Sequence, residues 1–169
     1  IKISNIDIFR RKIQILANFI KKEEKIDDYY TLESLKKYPK KSIRIREKEN
    51  AYEINFKQRL SYIKGIHAKN ENEFTLNKIS PFLNLIKDFG FKHWLRKEKT
   101  TELYNISKNF NIELNYVKDL GWFLEVEYLC DKKYIPIARK KILEIIKKLG
   151  IKNKEIIEEG YTKMLWDIR

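Results

Sequence analysis

The sequence has a single cysteine, Cys130, and only two histidines, His67 and His93. One cysteine excludes an internal disulfide and suits a reducing compartment, so a cytoplasmic location is expected. Cys130 itself reads as a small buried hydrophobe. The two histidines are far apart and lack metal-ligand spacing. Three prolines and five glycines are few, and 43% of the residues are hydrophobic, so the chain reads as globular and not disordered. No apolar run approaches a membrane span, and no signal peptide opens the sequence, so no membrane partner is expected. At 169 residues there is enough chain for one domain with a sizeable core, spanning 1–169. What the chain has in excess is positive charge: the formal net charge is +13. That predicts an anionic partner: nucleic acid, a membrane surface or a phosphorylated small molecule. The lysines are scattered, so charge alone does not choose among these.

The stretch 42–57, SIRIREKENAYEINFK, is the most informative. Ile43 and Ile45 alternate with Arg44 and Arg46, and Tyr52, Ile54 and Phe56 alternate with Glu53, Asn55 and Lys57. A period of 2 predicts two strands joined by a turn at Lys48-Glu49-Asn50, with charge on one face and apolar groups on the other. Arginines at i and i+2 aim two planar forks the same way, which suits a polyanion.

Around this hairpin the pattern predicts a helix over 6–20 capped by Asn5, and a strand over 25–31. A turn near Pro39 leads into the hairpin, and a polar connection fills 58–68. A strand follows at 69–76, with Lys69, Glu71 and Glu73 on one face. A helix capped by Ser80 runs to Phe89 and stops at Gly90. A strand over 96–105 turns Lys97, Lys99 and Thr101 one way. A second hairpin over 111–129 turns at Asp119-Leu120-Gly121, with Glu113, Asn115, Phe123, Glu125 and Glu127 on one face. Helices over 135–149 and 153–165 close the chain. At a shift of 75 residues Asn5 falls on Ser80 and Tyr29 on Tyr104, a weak internal repeat that suggests a pseudo-twofold sheet.

These faces lead to an α+β fold: a mostly antiparallel sheet curled into a tunnel-like barrel with helices outside. Such a tunnel would gather Arg44, Arg46, Lys57, Lys69 and Lys99 with Glu71, Glu73, Glu113, Glu125 and Glu127. Both signs of charge in a wet interior imply a ligand of mixed charge, and a triphosphate with a divalent metal is one. Oxygen-only carboxylate pairs suit Mg²⁺ or Mn²⁺, and Arg and Lys suit phosphates. The plainer alternative is a structural network pairing Arg44 and Arg46 with Glu125 and Glu127.

Six short motifs occur in an order that resembles the CYTH superfamily, the triphosphate tunnel metalloenzymes. Asp27-x-Tyr29-Tyr30 is similar to its D-x-Y-F, and Arg44-Ile45-Arg46 to its R-x-R. Lys57 stands where the family has a strand lysine, and Lys69-x-Glu71-x-Glu73 resembles R-x-E-x-E. Asp119-Leu120-Gly121-x-Phe123-x-Glu125-Val126-Glu127 resembles G-L-G-x-F-x-E-I-E, and Gly160-Tyr161 the C-terminal S-Y. The resemblance covers nearly the whole chain and is strongest to class IV adenylyl cyclases, with thiamine-triphosphatase relatives. It implies a metal-dependent enzyme using Mg²⁺ or Mn²⁺. The substrate would be ATP, thiamine triphosphate or inorganic triphosphate, and the reaction cyclisation to cyclic AMP or hydrolysis. Arg44, Arg46, Lys57, Lys69 and Lys99 would bind substrate, and Glu71, Glu73, Glu125 and Glu127 the metal.

The chain departs from the family pattern in three places. The family opens with E-x-E-x-K, whereas this sequence begins Ile1-Lys2-Ile3, about where that strand ends; truncation and true loss are both open, and no catalytic residue is assigned. The K-x-R reads Lys99-Thr100-Thr101, and the strand aspartate before the last turn reads Asn115. Two other functions therefore stay open: a catalytically degenerate module that binds polyphosphate or nucleotide, and a basic nucleic-acid binder. The carboxylates sharing faces with the cations weigh against nucleic acid. Assembly as a homodimer is also open.

Overall fold

The computed structural model describes residues 1–63, 66–152 and 155–169, and the side chains of all of these except 57–62. In chain order the elements are α1 (Ile6–Leu16), β1 (Asn18–Thr31), β2 (Ile43–Glu47), β3 (Tyr52–Ile63), β4 (Ile66–Leu76), α2 (Ser80–Asp88), β5 (Lys92–Ser107), β6 (Phe110–Val117), β7 (Gly121–Tyr128), α3 (Ile135–Lys148) and α4 (Tyr161–Asp167). The strands are hydrogen-bonded in the order β4-β3-β2-β1-β5-β6-β7, and the ladders β1–β2, β2–β3, β5–β6 and β6–β7 are antiparallel. The fold is α+β, as the patterning led us to expect.

Two compact units divide the chain. Unit 1 comprises Ile1–Glu24, Tyr62–Ile66 and Lys99–Gly160; unit 2 comprises Lys25–Ser61, His67–Glu98 and Tyr161–Arg169. Each takes one helix and the start of the long strand after it, the end of the other long strand, and the hairpin that follows. The weak 75-residue repeat is explained by this: α1–β1 and α2–β5 are equivalent parts.

In unit 1, α1 and α3 cover the even-numbered face of β6 and β7. Ile13, Ile112, Leu114 and Leu149 are fully buried there, with Tyr104, Leu124, Ile145 and Ile146 beside them. Arg10 of α1 also makes a forked pair with Glu102 of β5, at 3.0 and 2.7 Å. Glu102 accepts from Tyr104 as well, and burial followed by that bond pushes the phenol up to about 12. In unit 2 a smaller apolar cluster of Ile45, Ile54 and Ile86 joins β2 and β3 to α2. Ile45, Ile54, Leu124 and Val126 thus pack on the helix side of their strands, as the alternation required.

Several boundaries differ from the sequence reading: β1 and β5 start earlier than expected, at Asn18 and Lys92, and four further differences have a local reason. Helix α1 ends at Leu16, because Ala17 turns extended and the next residues enter β1, where Phe19 packs edge-on against Tyr104 at 5.5 Å. The 3.6-residue period continues to Ile20, but strand pairing overrides it. The supposed connection 58–68 belongs largely to β3 and β4, whose polar residues conceal the alternation; residues 64 and 65 lie outside the described ones. Ser80 is the first residue of α2, and Ile79 stands at the cap without a side-chain bond. The last helix begins at Tyr161; residues 153 and 154 lie outside the described ones. The turn at Asp119-Leu120-Gly121 is as expected. Asp119 and Gly121 have φ of 68° and 95°, and the Leu120 amide donates to the Val117 carbonyl at 3.1 Å.

Candidate functional site

Strand register assembles a polar face in each unit. In unit 2, Asp27 lies opposite Arg46, which lies opposite Glu53; Tyr29 lies opposite Arg44, which lies opposite Asn55. Directly opposed residues point to the same side, so all six share one face. Asp27 is fully buried at its centre. It accepts from Arg46 Nε at 2.6 Å and Nη2 at 3.0 Å, and pairs with Lys97 Nζ at 2.8 Å. Burial would raise the Asp27 pKa, but Lys97 and Arg46 outweigh it and hold the carboxyl well below the ordinary range. For Lys97, burial works downward, and Tyr29 and Asp27 carry it above its ordinary value. Arg46 is likewise raised: burial opposes the charge, and the bond to Asp27 more than restores it. Lys97 Nζ also donates to the Tyr29 hydroxyl at 3.0 Å and sits over the rings of Tyr29 and Tyr161.

Arg44, 8% exposed, donates to Glu53 and lies 3.7 Å from Glu73. Lys48 reaches the other Glu53 oxygen at 3.2 Å. Asn55 donates to both Glu71 and Glu73. The structure therefore brings Arg44, Arg46, Glu71 and Glu73 into one connected polar network. Lys69 is on β4 and exposed, and Lys57 is on β3 with its side chain outside the described ones.

In unit 1 the polar face is the odd-numbered side of β5, β6 and β7. Thr101 lies opposite Asn115 and Asn115 opposite Phe123, while Glu113 lies opposite Glu125 and Asn111 opposite Glu127. Lys99 Nζ pairs with Glu113 at 3.2 Å, and its side chain is buried. Glu113 also accepts from Asn115 Nδ2 at 3.1 Å. Glu125 and Glu127 are exposed, two residues apart on one strand. The two positions where this chain departs from the expected motif, Thr101 and Asn115, touch each other. The Thr101 hydroxyl donates to Asn115 Oδ1 at 2.7 Å, and both residues are fully buried. An arginine and an aspartate at these opposed positions would form an ion pair; here a neutral hydrogen bond fills the same place.

Among the described residues no group of three or more His, Cys, Asp or Glu side chains is gathered to hold a metal by itself. The donors present still fit a magnesium-like ion. Such an ion is commonly held by one or two carboxylates, with substrate phosphates and water completing its shell. Glu71 with Glu73, and Glu125 with Glu127, are oxygen pairs of that kind.

Sequence reasoning left four residues out of the site: Asp27, Glu53, Asn55 and Lys97. Asp27 stood in a motif, and Lys97 only on a face of its own strand. Only the pairing of β1 with β5, which is non-local, puts Lys97 on Asp27. The apolar side of unit 2 holds a cavity of about 420 Å³ between Ile43, Ile54, Phe82 and Phe91. None of the expected site residues lines it among the described residues.

With both polar faces in place, the comparison with known proteins is direct. The CYTH domain model matches residues 2–161. The chain belongs to the CYTH family. No curated protein matches the sequence. Among solved structures, a protein of Pyrococcus horikoshii OT3 is 28% identical with a TM-score of 0.80, over 98% of this chain and 96% of that one. A proposed adenylate cyclase of Vibrio parahaemolyticus is 15% identical with a TM-score of 0.79, over 97% of this CYTH chain and 93% of its own. A proposed adenylyl cyclase from Hippeastrum, with a dominant triphosphatase activity, is 14% identical with a TM-score of 0.59, over 88% and 84%. The last two likenesses establish the fold. CYTH membership brings with it triphosphate substrates and divalent cations as the family's general chemistry. No helix among the described residues is long and apolar enough to cross a membrane.

Proposed function

We propose that this CYTH protein is a divalent-metal-dependent enzyme acting on a triphosphate such as ATP, thiamine triphosphate or inorganic triphosphate. The observation that carries this reading is the buried pair Arg44 and Arg46, on one strand face with the carboxylates of Glu53, Glu71 and Glu73. Arg46 is anchored by Asp27, which fixes its fork, and Arg44 keeps one buried guanidinium nitrogen, Nε, without a partner. Two preorganised guanidinium groups can neutralise phosphate oxygens without reorganising at the moment of reaction. Lys69 adds a cation for the same polyanion, and Lys99 offers one on the polar face of unit 1.

Glu71 with Glu73 and Glu125 with Glu127 would hold Mg²⁺ or Mn²⁺. When bound, the metal supplies positive charge at the phosphate oxygens. The protein's own part is to hold the chain of phosphates in line with the attacking oxygen. Two reactions fit such a clamp. In one, the ribose 3′-oxygen attacks the α-phosphorus and gives its proton to water; the bond to pyrophosphate breaks and cyclic AMP forms. In the other, water attacks the terminal phosphorus, loses a proton to solvent and releases phosphate. The activities named for the Vibrio and Hippeastrum proteins motivate testing both.

A second reading, a module that binds polyphosphate or nucleotide without turnover, is favoured by the neutral Thr101–Asn115 pair. One experiment separates them. The purified protein is incubated with each triphosphate and with Mg²⁺ or Mn²⁺. Phosphate, pyrophosphate and cyclic AMP are then resolved by anion-exchange chromatography, and melting temperature is recorded alongside. Metal-dependent turnover supports the enzyme. A rise in melting temperature without product supports the binding module. Neither response at millimolar ligand would remove both readings.

A further inference from the structure

Asn55 does something unusual on the polar face of unit 2. Its side chain is 1% exposed, yet its amide nitrogen donates to two carboxylates at once, Glu71 Oε2 at 3.1 Å and Glu73 Oε2 at 2.8 Å. Two carboxylate acceptors require the nitrogen, and not the oxygen, to face them. That leaves Oδ1 buried with no hydrogen-bond partner among the described residues. The residue opposite, Arg44, is in the same condition: its Nε is buried without a partner. A residue kept only for packing would not carry an unmade acceptor at this depth, because burial without a bond is unfavourable. A β-branched apolar residue would suit a strand better. Two carboxylates thus converge on one neutral donor. Arg44 Nη2 is 3.7 Å from Glu73.

We propose that Asn55 is a positioning residue for a divalent cation at Glu71 and Glu73. It draws the two carboxylates to one point before the ion arrives. With an ion bound, Glu71 and Glu73 would hold it, and rotation about the Cβ–Cγ bond would let Asn55 offer Oδ1, a hard neutral oxygen of the kind such ions accept. The unmade acceptor and the doubly used donor are then two sides of one device. This inference rests on the metal-dependent reading above and sharpens it: it assigns one cation to unit 2 and names the neutral residue that prepares its place.

The test uses Mn²⁺ alone as probe and follows the free-ion electron paramagnetic resonance signal during titration of the full chain. Asn55→Ala and Asn55→Thr are compared with the parent, with melting temperature as a check that each is folded. Asn55→Thr keeps a strand-forming residue and a single donor, so it covers the case in which the alanine variant does not fold. Loss of an outer positioning group commonly weakens metal binding by about 10- to 100-fold. We expect about tenfold weaker Mn²⁺ binding in either folded variant, and loss of this site in Glu71→Gln plus Glu73→Gln. Suppose the double glutamine variant loses Mn²⁺ while the Asn55 variants bind like the parent. Asn55 is then a packing residue, and the inference fails alone. Should Mn²⁺ bind equally well without Glu71 and Glu73, the cation lies elsewhere and the inference fails while the metal-dependent reading stands. A parent that binds no Mn²⁺ overturns both.

Discussion

The two units are built from equivalent parts, yet their polar faces are held together by different physics. Unit 2 is held by charge. A fully buried aspartate is clamped between Arg46 and Lys97, and Arg44 is paired with Glu53. Unit 1 has a neutral pair at its centre, where Thr101 and Asn115 share one hydrogen bond beside the ion pair of Lys99 with Glu113. Its buried end of charge, Arg10 with Glu102, lies on the other side of the strand and ties a helix to the sheet. Both arrangements satisfy the rule that buried polar groups be paired. The first keeps Arg44, Arg46 and Lys97 buried on its polar face, whereas the second keeps Lys99, paired with Glu113. The comparison teaches that one fold can concentrate buried guanidinium groups in one half and leave the other half a neutral pair, exposed carboxylates and a lysine–glutamate pair.

The harshest test of that contrast is Asp27→Asn. The substitution keeps shape but leaves Arg46 and Lys97 facing each other without their shared counter-charge. Breaking a buried pair by removing one partner costs about 3–5 kcal/mol. The corresponding change in unit 1, Thr101→Val, leaves Asn115 Oδ1 without its donor and is expected to cost about 1–3 kcal/mol. Urea denaturation of both variants ranks them; equal losses would erase the distinction between charged and neutral faces.

Acid sharpens the same point. The Asp27 pKa is depressed in the folded protein, so its stabilising contribution is fully present above the ordinary carboxylate range. It is lost as the pH falls below about 4 toward the folded value. Glu102 is depressed too, first by its bond to Arg10. We expect stability to hold near neutral pH and to decline in acid. The decline should be shallower in Asp27→Asn, because one of its sources has been removed. Parallel curves for parent and variant would mean that Asp27 is not a significant source.

A smaller effect is expected where unit 1 is made to imitate unit 2. Thr101→Arg alone buries a cation, and Asn115→Asp alone buries an anion beside the Glu113 carboxylate. Together they can pair, since the two positions are directly opposed. A double-mutant cycle should give a favourable coupling of about 0.5–3 kcal/mol. Strict additivity would show that the two departures from the family pattern are unrelated.

How far the sequence revealed this contrast depends on the distance over which the information is carried. Period-2 alternation in 43–47, 52–57 and 111–128 was enough to place both hairpins and to sort Arg44, Arg46, Glu125 and Glu127 onto polar faces. Those are local properties of a strand. The end of α1 was not legible, because Phe19 and Ile20 belong to a strand for tertiary reasons only. Nor was the partner of Asp27: Lys97 is 70 positions later, and only the β1–β5 pairing makes it a neighbour. The Thr101–Asn115 contact escaped in the same way. Each departure was visible alone, but their compensation exists only in the register of β5 on β6.

The mildest substitution decides what the unit 1 carboxylates do. Glu125 and Glu127 project from the same side of β7 and are both exposed. Had they been the counter-charges of Arg44 and Arg46, neutralising them would strand two buried cations. The arginines instead have Asp27, Glu53 and Glu73 within their own unit. Glu125→Gln plus Glu127→Gln should therefore leave stability within about 0.5 kcal/mol of the parent, as for most exposed positions. Its effect should fall on chemistry. Amides keep the shape of the carboxylates but lose the charge that attracts a hard cation. Metal-dependent triphosphate turnover is expected to disappear while the melting curve stays in place. A large fall in melting temperature would reveal a structural network that the hydrogen bonds of unit 2 do not require. Unchanged turnover would move the metal wholly to Glu71 and Glu73, and both halves of the chemistry, cations and carboxylates alike, would then reside in unit 2.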